Sequence, residues 1–253
     1  MSNQISNQND TPLLSVRNLQ VEFANQNGTI KAVGQVNFDL WQGETLAIVG
    51  ESGSGKSTTA HAIINLLPGT GRIAAGSVVF DGEELVGAND QQMQSIRGRK
   101  IGFVPQDPMN NLNPVWSIGF QVEEAIKANS ELTDKTQIRK AAIDALQMAG
   151  LADAEQRLKQ YPHQFSGGMR QRVLIAQAFS LNPHVIIADE PTTALDVTVQ
   201  KQVLRLIRDM QREHKTTLLF VTHDLNPRAM SRRVQGFVQA QSWFQDLMPI
   251  RIG

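Results

Sequence analysis

Cysteine is absent from all 253 residues. That excludes disulfides, thiolate metal centres and thiol nucleophiles, and it suits a reducing compartment. Net charge is absent too, with 24 lysines and arginines against 24 aspartates and glutamates. This argues against a nucleic-acid binder that relies on overall positive charge, and no nucleic-acid partner is expected. No stretch approaches the roughly 18 apolar residues that a membrane span needs, so any role at a membrane is expected to come through a partner. Residues 1–10 are polar and lack the apolar segment of a signal peptide. Residues 1–12 are expected to be a flexible tail.

What is present is an apolar fraction of 41%, enough for one large α/β core or two small ones. Leu13 to Ala24 and Ile30 to Leu40 are rich in β-formers and flank Asn25-Gln26-Asn27-Gly28, whose Asn-Gly pair predicts a hairpin. Asn27-Gly28-Thr29 also matches a glycosylation sequon, but without an export signal the turn reading is preferred. Short apolar runs at Thr45 to Val49, Ile101 to Val104, Val185 to Ala188 and Leu218 to Val221 suit strands covered on both faces. Lys56 to Leu67 has helical character, and the stretch from about Val115 to Leu181 is rich in helix. Thr198 to His214 places Val199, Val203, Ile207 and Met210 on one face. The expected fold class is α/β, a mainly parallel sheet wrapped by helices with a helical insertion at about 112–181 and an antiparallel N-terminal part.

Gly50-Glu51-Ser52-Gly53-Ser54-Gly55-Lys56-Ser57 fits G-x-x-x-x-G-K-[ST] and lies between a predicted strand and a predicted helix. Its glycines let successive N–H groups turn inward around phosphate oxygens, and the helix start adds to the same anion site. Lys56 suits the β- and γ-phosphates, the Ser57 hydroxyl suits Mg²⁺, and Thr58 completes the loop. The third glycine position of a dinucleotide fingerprint is occupied by Thr58, which argues against that alternative. Val185 to Glu190 is an apolar strand ending in two acids. Asp189 suits Mg²⁺, directly or through water, and Glu190 suits a general base for the attacking water. Alone, a strand ending in Asp-Glu is as readily a solvated strand end; paired with the upstream loop it reads as a P-loop ATPase. Ser166-Gly167-Gly168 opens another helix and is either a second anion site or an ordinary capped start.

The order of these elements over about Leu13 to Leu225 resembles an ABC-transporter nucleotide-binding domain. Phe165 to Met169 is similar to the family signature, with Phe165 and Met169 in place of the usual leucine and glutamine. The resemblance implies a glutamine loop at Gln106, a D-loop at Ala194-Leu195-Asp196 and a switch histidine at His223. It further implies an adenine-stacking Phe23, although a strand phenylalanine is as readily core. In such a family two ATPase domains close head to tail. Ser166, Gly167 and Gly168 are then expected to touch ATP held by a second ATP-binding subunit, identical or different. Gln106-Asp107-Pro108-Met109, Leu112-Asn113-Pro114, Tyr161-Pro162-His163-Gln164 and Ala188 to Val197 are similar to importers of dipeptides, oligopeptides and nickel. That kinship implies transmembrane permease subunits docking at about Gln106 to Val122, a solute-binding protein beyond them, and a place at the cytoplasmic face of the membrane.

After Leu225 the resemblance stops, and residues 226–253 read as an atypical tail with four arginines, one aspartate and no strand alternation. A divergent ending, a truncated or frameshifted one, and a basic aromatic surface segment remain open. Two functional alternatives follow, a folded remnant that binds ATP or permease without turnover, and a non-transport ABC ATPase.

Overall fold

A computed structural model describes residues 11–193 and 195–222. The expectations placed on residues 1–10, Ala194, His223 and 226–253 lie outside the described residues. Eight strands and seven α-helices follow one another in the described chain, arranged around two four-stranded sheets.

The first sheet is antiparallel. The expected hairpin forms from β1 (Leu14–Asn25) and β2 (Gly28–Leu40), with Phe23 opposite Ile30 and Leu14 opposite Leu40. On the other side of β1 lies β4 (Gly71–Phe80), followed by the short β5 (Glu83–Glu84), in the order β2-β1-β4-β5. The second sheet is parallel. It orders β3 (Thr45–Val49), β8 (Thr217–Thr222), β7 (Val185–Asp189) and β6 (Ile101–Val104) side by side as β3-β8-β7-β6. Every residue of β3, β7 and β8 is buried, as continuous apolar runs covered on both faces must be.

The helices are α1 (Lys56–Ile63), α2 (Asp90–Ile96), α3 (Ile118–Asn129), α4 (Lys135–Met148), α5 (Ala154–Arg157), α6 (Gly167–Phe179) and α7 (Val197–His214). Ser117, Asp134, Ser166 and Asp196 cap α3, α4, α6 and α7 by accepting from main-chain N–H groups two or three positions on, which satisfies donors a helix start leaves open. Helix α1 stops four residues short of the expected Leu67. Asn65 turns left-handed there, at φ 51°, and Pro68 disfavours helix at the residue before it.

Three apolar clusters follow. One fills the space between the antiparallel sheet, α1 and the inner face of the parallel sheet, with Leu19, Ile63, Phe80, Ile101 and Ile187 among its members. A second joins α3, α4 and α6 through Val122, Leu146, Phe165 and Leu174. The third packs α6 and α7 on the other face of the parallel sheet through Val104, Ile175, Ala188, Ile207 and Phe220. All parallel strands therefore end on one rim, where α/β folds expose ligand-binding loops.

Candidate active site

The rim forms a cleft of about 390 Å³ lined by Ala32, Ser52, Gly53, Gly55, Lys56, Ser57, Thr58, Gln106, Glu190 and Thr193. The phosphate loop is its floor. Gly55 precedes α1 at φ 89°, and a Cβ there would sit 2.5 Å from the Ala32 carbonyl oxygen; only glycine allows the loop to pass β2 this closely. Lys56 is buried, and its Nζ donates to the Glu51 carbonyl at 2.7 Å across the loop. The ammonium is thus held against the loop, whose turn type can offer main-chain N–H groups to phosphate.

Two carboxylates enter from the end of β7. Asp189 Oδ1 accepts from the Ser57 hydroxyl at 2.8 Å. Its side chain is almost wholly buried, at 2% exposure, and none of the ion pairs among the described residues involves it. Burial pushes its carboxyl above the ordinary range, and the neighbouring Glu190 adds to that; the Ser57 hydroxyl, His61 and Lys56 pull the other way. Glu190 leaves the strand in a left-handed turn, at φ 45°, with its N–H on the Val221 carbonyl at 2.8 Å. Its Oε2 accepts from Gln106 Nε2 at 2.7 Å and from the Thr193 hydroxyl at 3.0 Å. Gln106 comes from the end of β6, the strand beside β7.

A hydroxyl and a desolvated carboxylate in contact form a hard-oxygen donor pair, the chemistry that Mg²⁺ selects. Among the described residues no group of three or more His, Cys, Asp or Glu could hold a metal. The pair therefore fits an ion that brings further ligands with it, as phosphate-bound Mg²⁺ does.

Most of the residues expected from the sequence converge here. Ser52, Gly53, Gly55, Lys56, Ser57, Thr58, Gln106 and Glu190 line the cleft, Asp189 lies behind Ser57, and Gly50 and Ser54 belong to the same loop. Phe23 lies outside the cleft's lining, half-buried against the first apolar cluster, where its ring would meet a Cβ on Gly71. Ser166 and Gly167 are exposed at the start of α6 and line no part of the cleft. Gly168, half-buried beside them, packs so that a Cβ would strike Val199 of α7. Thr193 and Ala32 were not foreseen. The serine or threonine three positions after Glu190 was a usable signal for the first. The second is visible only once β2 is folded over the loop.

The sequence profile described as ABC transporter matches residues 33–193. The chain belongs to the ABC transporter family. Among relatives in this family, an oligopeptide transport ATP-binding protein, OppD, of Bacillus subtilis (strain 168) is 47% identical over 216 residues, 85% of this chain and 60% of that protein. A dipeptide transport ATP-binding protein, DppD, of the same organism is 47% identical over 214 residues, 84% of this chain and 64% of that protein. This ABC chain thus spans about three fifths of the length of the curated relatives it matches. A dimeric ATP-binding cassette in a post-hydrolysis state, bound to ADP and Pi, is 33% identical with a TM-score of 0.73, covering 83% of this chain and 88% of that one. The α/β fold with its two sheets is that of an ABC ATPase cassette.

Proposed function

We propose that this chain is the ATP-hydrolysing subunit of an ABC importer of peptides or related small solutes. The observation that carries the reading is the convergence of Lys56, Ser57, Asp189, Gln106 and Glu190 on one cleft, from three separate stretches of chain. The likeness to oligopeptide and dipeptide transport ATP-binding proteins supports the solute class. The cassette occupies residues 13–225, with its helical insertion at about 112–181.

In this reading the loop from Gly50 to Thr58 holds the ATP phosphates through main-chain N–H groups and Lys56. Mg²⁺ held by Ser57, with Asp189 and Gln106 near it, would neutralise charge on the phosphates. Glu190 accepts the proton of the attacking water. Gln106 and Thr193 hold its carboxylate in place until substrate enters, and His223 completes the alignment of the nucleophile. Catalysis then rests on position and electrostatics, as phosphoryl transfer requires. Phe23 stacks on adenine after a local shift of its ring.

The partners are a second ATP-binding subunit, whose nucleotide Ser166, Gly167 and Gly168 touch, and transmembrane permease subunits that a solute-binding protein serves. The exposure of Ser166 and Gly167 supports the first. Among the described residues no helix is long and apolar enough to cross a membrane, and the chain sits at the cytoplasmic face through its permease. Exposed Met109, Val115, Trp116 and Phe120, on the segment after Gln106, support a docking surface there.

Ser166→Arg tests the shared site. It is expected to leave the ATP-induced rise in melting temperature intact while abolishing turnover. Loss of ATP binding by the single chain would place Ser166 outside that role. Co-purification with a permease, and not with ribosomes, tests the transport assignment.

A further inference from the structure

Gln171 is completely buried on α6, and among the described residues neither its amide nitrogen nor its amide oxygen has a hydrogen-bond partner. A core position that merely fills space is better served by an apolar side chain, because a buried amide without partners costs stability. Such a group is a reason to look for a second arrangement in which it is paired.

The packing of α6 fixes where this amide lies. Ile175 and Ala178, four and seven positions further along α6, share one apolar cluster with Val104, Ile186 and Ala188. A Cβ on Gly102 would sit 2.4 Å from the Ala178 carbonyl oxygen and 2.6 Å from Ile186, so at Ala178 the helix rests directly on β6 and β7. At its other end Gly167 faces Leu195, beyond the end of β7. Helix α6 therefore runs antiparallel to both strands. Seven helical residues rise about 10 Å, which is roughly three strand residues. Counting three on from Gly102 and from its neighbour Ile186 brings Gln171 level with Pro105 and Asp189. The unpaired amide lies behind the two strand ends that present Gln106 and Glu190, one turn along the helix that begins at Ser166.

We propose that Gln171 is a positioning residue that ties α6 to these strand ends. Its amide takes a main-chain partner there when the Gln106–Glu190 hydrogen bond opens to admit nucleotide. The effect is mechanical. A change at Gln106 in one ATP site is transmitted to Ser166, Gly167 and Gly168, which serve the site of the second subunit. The inference rests on the ATPase reading above.

The test compares wild type, Gln171→Met, which has similar length and no hydrogen-bonding group, and Gln171→Glu, which keeps a hydrogen-bonding end. Without nucleotide, Gln171→Met is expected to melt at the wild-type temperature or about 2–4 °C above it. Its kcat for Mg-ATP is expected to fall at least tenfold with KM changed less than twofold, and Gln171→Glu to retain more turnover. Hydrogen exchange gives a readout independent of turnover: ATP should protect amides of residues 167–175 in wild type and not in Gln171→Met. Wild-type turnover in Gln171→Met, or a loss of turnover that matches a loss of folded protein, overturns the proposal. Wild type without turnover overturns the ATPase reading instead, and the exchange experiment still decides for or against Gln171.

Discussion

The Ser57 hydroxyl donates to Asp189 Oδ1 at 2.8 Å, joining α1 to the end of β7 across 132 positions of sequence. This contact places a buried carboxylate where a cation can reach it, at a cost to the nucleotide-free fold. Burial raises the Asp189 carboxyl above its unfolded value, so the native state holds this proton more tightly than the unfolded one. Stability from this group is then fully present below the unfolded value of about 3.9 and is lost as pH rises through the raised folded value. Asp189→Asn is expected to raise the melting temperature of the nucleotide-free protein at pH 7 and to flatten its decline above pH 4. The same substitution should remove the extra stabilisation that Mg²⁺ adds to ATP. Calorimetry with ATP, with and without Mg²⁺, measures both; a lowered melting temperature without nucleotide would contradict the cost assigned to Asp189.

Two glycines of the phosphate loop separate backbone strain from crowding. Gly53 and Gly55 both have positive φ, 80° and 89°, but a Cβ at Gly53 meets nothing within 4 Å while one at Gly55 meets the Ala32 carbonyl at 2.5 Å. Gly53→Ala should cost about 1–2 kcal/mol from conformation alone. Gly55→Ala adds a clash between two main-chain segments and should cost at least about 1–3 kcal/mol more, with loss of ATP binding. Urea unfolding of the two variants checks the order, and equal losses would refute the close approach of β2.

Far from the cleft, Glu84 locks β5 to β4. Burial alone would push its carboxyl up, but the Ser77 hydroxyl and the N–H groups of Val86, Val78 and Leu85 outweigh it and hold it below the ordinary value. The oxygen distances to Val78 N and Val86 N are both 2.9 Å. With a depressed folded value, its contribution is present above the unfolded value of about 4.3 and disappears as pH falls through the folded one. Glu84→Gln should therefore be less stable than wild type at pH 6 and indistinguishable from it at the acid end. A stability difference that persists unchanged at low pH would assign the effect to packing instead.

The parts of this fold that were legible from sequence are those whose signal is local. Thr45–Val49 and Ile101–Val104 form as strands over the expected residues, because a short apolar run between turns leaves little choice of boundary. The phosphate loop was equally legible as a motif, although the demand on Gly55 comes from the Ala32 carbonyl of β2 and is not local. Strand β4 was not: Gly71-Arg72-Ile73-Ala74-Ala75-Gly76-Ser77 lacks alternation, and its pairing with β1 passes through register shifts near Arg17 to Val21. Among the described residues the antiparallel sheet has as many strands as the parallel one; the sequence reading expects both a mainly parallel core sheet and an antiparallel N-terminal part, but it does not place β4 in the latter. The motifs named Gln106 and Glu190 separately. Their hydrogen bond, and the Thr193 contact beside it, depend on β6 and β7 lying side by side and could not be read from either stretch.

The measurement that bears most directly on the account is Mg-ATP hydrolysis by the full chain, compared with Glu190→Gln, with ATP affinity measured in both. Glu190 accepts hydrogen bonds from Gln106 and Thr193, and an amide in its place fills the same space without accepting the water's proton. Wild-type turnover is expected, with a fall of about 10²–10⁴-fold in the variant and ATP affinity within a few-fold of wild type. Turnover in Glu190→Gln equal to that of wild type, or none in a wild-type chain that binds ATP, would contradict it.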